Sequence, residues 1–569
     1  FPLLGRVVES SSDRIVFDRT YDLDTDLFIR DHCIGGTPSA RDPSLCAIPV
    51  IPFTVSMEIV AEAAARLVQR NDRVVVAVEN ARGSRWLSLD DGKVQLKIVA
   101  ERADTTATSD RVFVRLFLMG RGGPPSGLPV FEATAILEER YPPAPPPLAP
   151  TSAEQKPPTF NHDGRLYARG MFHGARMQGG KHVIRFGESS IDMELVTIAV
   201  HDYFSFTTAP RFQFDTTLAD NLGQEMYFWL QEKHGGMVNC FPFQVGRMSL
   251  YGPMLPPGSR VMSRANVHVP GPDRLMGDID AIGPDGKVHM RMERFEDRTF
   301  VVPNPFYQFR LDPPRRFLGE VWMDGLLPAG LHARCVRPFE NDLLAGGGGI
   351  WGRGLAHMTL SRPEREQFYA LPANGPRQFD WLLGRIAAKE AARDWFRTRL
   401  NMELASADVE VRVGGDGRPA IHVDGIAPTA LPSVSIAHSH GTAVAVVTDP
   451  GLAVGLDFRR LDGSLDPKGQ PGDAAFLAKV PASERHLVGA ALGCAREAAA
   501  KASGHGLGGQ PADWQIVASQ VDPRAGFGSA RARRDGREFD VALRFEGTEA
   551  ISALCVVPAS VDGSRAALA

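Results

Sequence analysis

The stretch PFTVSMEIVAEAAARLVQR, residues 52–70, reads as one long helix with a single apolar stripe. Val55, Ile59, Ala63 and Leu67 recur every fourth residue, and Pro52 stands at the start, where a missing N–H costs nothing. Outward from it lie runs of another kind. RVVVAVENARGSRWLSL (73–89), KVQLKIVAE (93–101) and VFVRLFLMG (112–120) are β-branched and alternate in polarity, as strands do. A second helix of the same make is TTLADNLGQEMYFWLQEKHGG (216–236). Its apolar face carries Leu218, Leu222, Met226 and Trp229 or Leu230, and Gly235 and Gly236 suit a C-terminal cap. KVHMRMERFEDRTFVV (287–302) then follows as a strand.

One long helix wrapped by an antiparallel sheet, twice over, is the plan of a double hot dog, an α+β fold. The chain of 569 residues exceeds what one core serves. YPPAPPPLAPTSAEQKPP (141–158) and the region around NPFYQFRLDPPRR (304–316) read as linkers, because proline blocks helix and sheet bonding and favours extended chain. The expected division is an N-terminal hot dog at 1–140, a linker at 141–158, a C-terminal hot dog at 159–310, a linker at 311–330 and a third domain at 331–569.

Composition narrows the function. Hydrophobic residues make up 43% and charged residues 23%, an ordinary globular balance. The net charge is −4 and no basic tract dominates, which speaks against nucleic acid or a membrane surface as partner. Six cysteines without a CxxC pair indicate neither a disulfide framework nor a zinc site and fit a reducing cytoplasm. No apolar run reaches the roughly 18 residues of a membrane span. The chain begins with Phe1, from which a fragment of a longer polypeptide is expected.

FIRDHCIGG (28–36) places His32 between an apolar run and a glycine pair. Asp220 and Gln224 lie i, i+4 on the second helix, on one face and one turn apart. A buried carboxyl there is expected to have a raised pKa and so to donate a proton near neutral pH. Gln224 either orients it or holds a leaving hydroxyl, and His32 is the complementary base. Asp215 is the rival acid, read as an N-cap whose backbone bonds lower its pKa. His173 is read as a turn residue lining a pocket.

These residues carry a resemblance to the dehydratase domains of polyketide synthases. FPLLG (1–5) resembles their His-Pro-Leu-Leu-Gly opening, and His32 with Gly36 resembles their His-x-x-x-Gly, the following proline being supplied by Pro49 or Pro52. YARGMFHGARMQG (167–179) is similar to Tyr-x-x-Gly-x-x-Tyr-Gly-Pro-x-Phe-Gln, with Phe172, Ala175 and Met177 as departures. Asp220-x-x-x-Gln224 matches Asp-x-x-x-Gln/His. The form resembles iterative synthases of the enediyne and polyunsaturated fatty acid type. The resemblance implies elimination of water from a β-hydroxyacyl chain on an acyl carrier protein, with no cofactor. It implies His32 removing the α-proton, Asp220 protonating the leaving hydroxyl, and an apolar tunnel for the chain. A backbone N–H at Gly36 or at the start of helix 52–70 would steady the enolate.

The third domain holds three features. In DWLLGRIAAKEAARDWFRTRL (380–400), Arg385, Lys389, Arg393 and Arg397 recur every four residues, a cationic stripe that reads either as a solvated face or as a phosphate-binding surface. Asp457 ends an apolar strand, where it must be paired or hold a cation. GCAREAAAKASG (493–504) sets Glu497 between Arg496 and Lys501, a carboxylate for Mg²⁺ and cations for phosphate. These resemble the phosphopantetheinyl transferases of the pseudo-two-fold, surfactin-synthetase-activating type. Gly417-Arg418-Pro419 is similar to Gly-Lys-Pro, SIAHS with His438 to Ser-x-Ser-His-Ser, VGLDFR to Val-Gly-Ile-Asp-x-Glu, and GCAREAAAK to Trp-x-x-Lys-Glu-Ala-x-x-Lys. The departures are Arg459 for the second acid and Gly493 for the tryptophan.

The resemblance implies transfer of 4′-phosphopantetheine from coenzyme A to a carrier serine. Asp457 and Glu497 would hold Mg²⁺, and Glu497 would deprotonate the serine. Arg385, Arg418, Arg496 and Lys501 would meet phosphate, and His438 the 3′-phosphate or ribose region. The expectation is thus a cytoplasmic synthase fragment with both activities. Its partners are a carrier domain of the same synthase and its acyl-phosphopantetheine, compatible with a homodimeric synthase. The rival is a carrier-docking scaffold with one or both sites decayed, the transferase first.

Overall fold

The computed structural model describes residues 1–120, 127–151, 155–163, 165–323, 327–339, 343–461, 471–504 and 511–559. The chain divides into two compact units, 1–36 with 46–311 and 37–45 with 312–569.

The first unit is a double hot dog. Among the described residues, thirteen strands form one antiparallel sheet, six from the first hot dog and seven from the second. Strand Val74–Gly83 joins the halves by pairing with Val238–Leu250, Ala77 opposite Ser249 and Arg82 opposite Gln244. Helix α1, Phe53–Val68, lies against the strands of the first half, and helix α2, Thr216–His234, against those of the second. Val55, Ile59, Ala63 and Leu67 are all buried, as their spacing predicts. Burial of each large apolar side chain contributes roughly 1.5–3 kcal/mol. Yet α1 is buried nearly all round, so Glu58 and Glu62 must be satisfied inside. Glu58 accepts the N–H groups of Gln213 (2.5 Å) and Phe214 (3.2 Å), and Glu62 that of Leu3 (3.0 Å).

The proline-rich segment is laid along the second hot dog. Leu148 N–H donates to Asp280 (2.7 Å), while Arg264 and Arg291 donate to the carbonyls of Leu148 (2.8 Å) and Pro146 (2.9 Å). Its prolines lack N–H groups but keep carbonyls, and Arg291 takes up that of Pro146.

In the second unit the order strand, long helix, hairpin, hairpin occurs twice. The first round has strand His332–Val336, helix α3 (Pro376–Leu400), and strands Glu410–Val413, Pro419–His422, Ser433–Ser439 and Thr442–Thr448. The second has strand Leu452–Arg460, helix α4 (Arg485–Ser503), and strands Gln515–Asp522, Phe527–Arg534, Arg537–Glu546 and Ala550–Pro558. Helix α4 presses onto its strand at Gly455, where a Cβ would stand 1.9 Å from the Ala498 carbonyl oxygen. The alanine run of α4 and the missing side chain of Gly455 together allow this approach. No helix of the described residues is long and apolar enough to cross a membrane.

The cationic stripe on α3 is not a phosphate-binding surface. Lys389 is fully buried, bonded to Glu364 and to the Thr359 carbonyl (2.8 Å), and Arg393 donates to the Leu404 carbonyl (2.6 Å) and Ser406 (3.1 Å). Arg385 is also buried, 3.9 Å from Glu364 and over the Trp381 ring. This corrects the expectation that Arg385 reaches a donor phosphate: its charge faces an internal carboxylate.

Candidate active sites

His32 follows a tight turn, Leu27–Asp31, and exchanges bonds with Val50. Val50 N–H donates to the His32 carbonyl (3.0 Å), and His32 Nδ1 lies 2.8 Å from the Val50 carbonyl oxygen. A carbonyl only accepts, so Nδ1 carries the proton and Nε2 presents its lone pair. Asp220 comes from the second turn of α2, capped by Asp215, and the two residues meet. His32, His173 and Asp220 each offer a nitrogen or oxygen within 4.8 Å of the others.

His173 is the member that sequence reasoning left aside. Its backbone bridges to His32, its ring lies 4.9 Å from the His32 ring, and its Nε2 is 3.3 Å from Asp220 Oδ2. Counting along YARGMFHGARMQG, the second tyrosine of the dehydratase pattern falls on His173 and not on Phe172, which corrects the departure expected at Phe172, and that count is the signal that finds it. Phe172 stacks on His173 and closes over His32. Gln224 orients the acid: it donates to Asp220 Oδ2 (2.8 Å) and to the Met177 carbonyl (3.3 Å), and accepts from the Tyr167 hydroxyl (3.0 Å).

The electrostatics correct two expectations, for Asp220 and Asp215. Burial alone would raise the Asp220 carboxyl, but first the hydrogen bond and charge of His173, then the neighbouring His32 and the Gln224 amide, hold it below its ordinary value. Asp220 is therefore a carboxylate at neutral pH. Burial, with the neighbouring His173, pushes His32 down to about 4, so its imidazole is neutral and basic there. Asp215 caps α2 through the Leu218 N–H (2.8 Å), yet burial raises it to about 6. Gly36 N–H is spent on the Arg310 carbonyl (2.8 Å) and is no enolate donor. The start of α1 is at the site, Thr54 Oγ1 lying 3.5 Å from Asp220 Oδ1, and first-turn N–H groups have no intrahelical acceptor.

In the second unit, the close packing of α4 at Gly455 brings its side chains over Asp457. Lys501 Nζ is 3.6 Å from Asp457 Oδ1 and 3.9 Å from Glu497 Oε1, and it donates to the Leu456 carbonyl (2.9 Å). Burial pushes Glu497 up, with Lys501 pulling against it. Arg459 Nε is 3.4 Å from Asp457 Oδ2, and Oδ2 is buried with no donor in hydrogen-bonding geometry. His438 is exposed on the strand beside this one, whose Ser435 and Ser439 hydroxyls accept from Leu456 and Arg460 N–H. Arg418 is exposed, paired with Asp416 (2.8 Å), and lies against Gly504 at the end of α4. Arg496 is a correction. It is buried, bonded to both oxygens of Asp473 and to the Trp514 carbonyl (2.8 Å), so its donors are occupied within the fold.

Residues 1–115 match the polyketide synthase dehydratase domain family, and residues 140–304 match the polyketide synthase dehydratase N-terminal domain family. Solved structures with a likeness include the dehydratase domain from the CurH module of curacin polyketide synthase (18% identity, TM-score 0.38, 53% of this chain and 97% of that one). Another is a trans-AT polyketide synthase dehydratase domain from Brevibacillus brevis (15% identity, TM-score 0.40, 53% and 98%). A C-terminal region is similar to the holo-acyl-carrier-protein synthase of Bacillus subtilis strain 168, 36% identical over 93 residues, 16% of this chain and 74% of that protein. The corresponding protein of Shouchella clausii is 38% identical over 89 residues, 16% and 73%. The chain is thus an enzyme that belongs, through this C-terminal region, to the holo-acyl-carrier-protein synthase family and carries ahead of it the double hot-dog fold of the polyketide synthase dehydratases.

Proposed function

We propose that the chain dehydrates a β-hydroxyacyl group on an acyl carrier protein and transfers 4′-phosphopantetheine from coenzyme A to the serine of that carrier, within an iterative synthase. The observation that carries the first half is the meeting of His32, His173 and Asp220 within 4.8 Å. His32 Nε2 takes the α-proton, which the thioester carbonyl acidifies, and the N–H groups opening α1 face the enolate charge. The Cβ–O bond breaks and the hydroxyl leaves as water. Its proton comes from the Asp220–His173 pair, which enters the step holding one proton beyond an ionised Asp220 and a neutral imidazole, between Asp220 Oδ2 and His173 Nε2, and leaves it without that proton. Loss of water from a β-hydroxyacyl carrier protein, followed by mass spectrometry, tests this, with Asp220→Asn as the inactive control.

In the transferase, Glu497 takes the proton of the carrier serine, whose oxygen attacks the pantetheine-side phosphorus of coenzyme A. The bond to the adenosine-side phosphate breaks, releasing adenosine 3′,5′-bisphosphate. Lys501 neutralises phosphate oxygens, and His438 and Arg418 stand at the exposed rim for the 3′-phosphate. Asp457 and Glu497 would hold Mg²⁺ when it is present, completed by water and phosphate oxygens, Asp457 Oδ2 having no hydrogen-bond donor but facing Arg459 Nε at 3.4 Å. When bound, that ion neutralises the diphosphate. The pseudo-two-fold, surfactin-type reading is supported by the twice-repeated element order. The scaffold reading is favoured by Arg459 alone, and labelling of an apo carrier protein by fluorescent coenzyme A separates the two.

A further inference from the structure

The two departures from the transferase pattern meet in space. Arg459 stands where the pattern has an acid, and Gly493 where it has a tryptophan. A Cβ on Gly493 would stand 3.5 Å from Arg459 Nη1 and 3.9 Å from its Cζ, so a large side chain there would run into the guanidinium. Arg459 shares a strand face with Asp457, two residues apart, with Nε 3.4 Å from Asp457 Oδ2. Its side chain is 38% exposed and so reachable from solvent.

Charge gives this arrangement its meaning. The pattern has acids at the positions of Asp457, Arg459 and Glu497 and a lysine at that of Lys501, an excess of two negative charges that a divalent cation cancels; its other lysine falls on Arg496, which here is spent on Asp473. Here Asp457 and Glu497 face Lys501 and Arg459, and the balance is zero. Replacing an acid by arginine shifts the site by the charge of one divalent ion. A guanidinium also matches phosphate geometry through paired N–H groups. Burial works against the Arg459 charge, and Cys494, Asp457 and Glu497 more than offset it.

We propose that Arg459, given room by Gly493, supplies from within the chain the positive charge that a divalent cation otherwise brings to the donor diphosphate, so that coenzyme A binds without added metal. This rests on the transferase reading above and goes beyond it by naming what the substitution is for.

The test is calorimetric titration of the full chain with coenzyme A, once in EDTA and once with saturating Mg²⁺. The wild type is expected to bind in EDTA within about tenfold of its affinity in Mg²⁺. Arg459→Glu is expected to lose binding in EDTA by more than about a hundredfold and to regain it with Mg²⁺, acquiring the metal dependence the wild type lacks. Gly493→Trp, which displaces the guanidinium without removing it, should weaken binding in EDTA, and Arg459→Lys should retain it. Wild-type binding only in Mg²⁺, or an Arg459→Glu variant indifferent to Mg²⁺, would overturn the inference. Binding in neither buffer would overturn the transferase reading itself, and this inference with it.

Discussion

Helices α3 and α4 carry nearly the same string, Lys389-Glu390-Ala-Ala and Arg496-Glu497-Ala-Ala, and use it for opposite ends. The first cation of each is buried on a carboxylate, Lys389 on Glu364 and Arg496 on Asp473. The glutamates then diverge. Glu390 is fully buried and accepts the N–H groups of Leu318 (2.6 Å) and Gly319 (2.7 Å). Glu497 is half-buried and faces Lys501 beside Asp457. A carboxylate already given two backbone donors has structural work only, whereas one left facing a cation and a second carboxylate has capacity for a ligand. The motif alone does not assign the role; the residues around it do.

The comparison is easiest to break at the glutamates. Glu497→Gln should lower pantetheine transfer by about 10²–10⁴ at unchanged thermal stability, since a base is lost and no core contact is. Glu390→Gln should leave the transfer rate intact and lower the melting point, at a cost of about 1–3 kcal/mol for the backbone donors left short. An equal loss of transfer in both would erase the distinction. Next in size, Lys389→Met strands Glu364 in the core and should cost about 3–5 kcal/mol in denaturant unfolding, where Lys501→Met costs far less.

A pH series sharpens the contrast. Burial raises Glu390 to about 7, above an ordinary glutamate. The folded state therefore keeps a proton that the unfolded state releases, and stability falls as pH rises from about 4.5 to about 7. Glu390→Gln should flatten that slope in melts taken across the window. His32 is displaced the other way. Its pKa of about 4 means that the unfolded chain binds a proton first, and stability is lost as pH falls from 6.5 towards 4. For the same reason the acid limb of kcat/KM for dehydration should fall near pH 4, since His32 must be neutral to accept a proton.

Much of this was legible in the residues. The four-residue spacing of Val55, Ile59, Ala63 and Leu67 located α1 to within two residues at each end, because that face is buried along its whole length. The order of the His32 and Asp220 motifs placed both in one site. What sequence could not supply was the company each charge keeps. Arg385, Lys389 and Arg393 recur like a solvated stripe, and only tertiary packing supplies the Glu364 carboxylate and the carbonyls that bury them. Asp220 looked like a proton donor because burial raises a carboxyl, and His173, hidden in a turn, reverses that. In the sequence Arg459 reads as a missing acid, and only the fold sets Gly493 beside it.

The most direct test of two separate sites is intact-protein mass spectrometry of carrier proteins incubated with the full chain. An apo carrier with coenzyme A reports pantetheine gain, and a β-hydroxyacyl carrier reports loss of water. The expected result is crosswise: Asp220→Asn abolishes the loss of water and keeps the gain, and Glu497→Gln does the reverse. Both activities falling together in either variant, or water loss persisting in Asp220→Asn, would contradict the account.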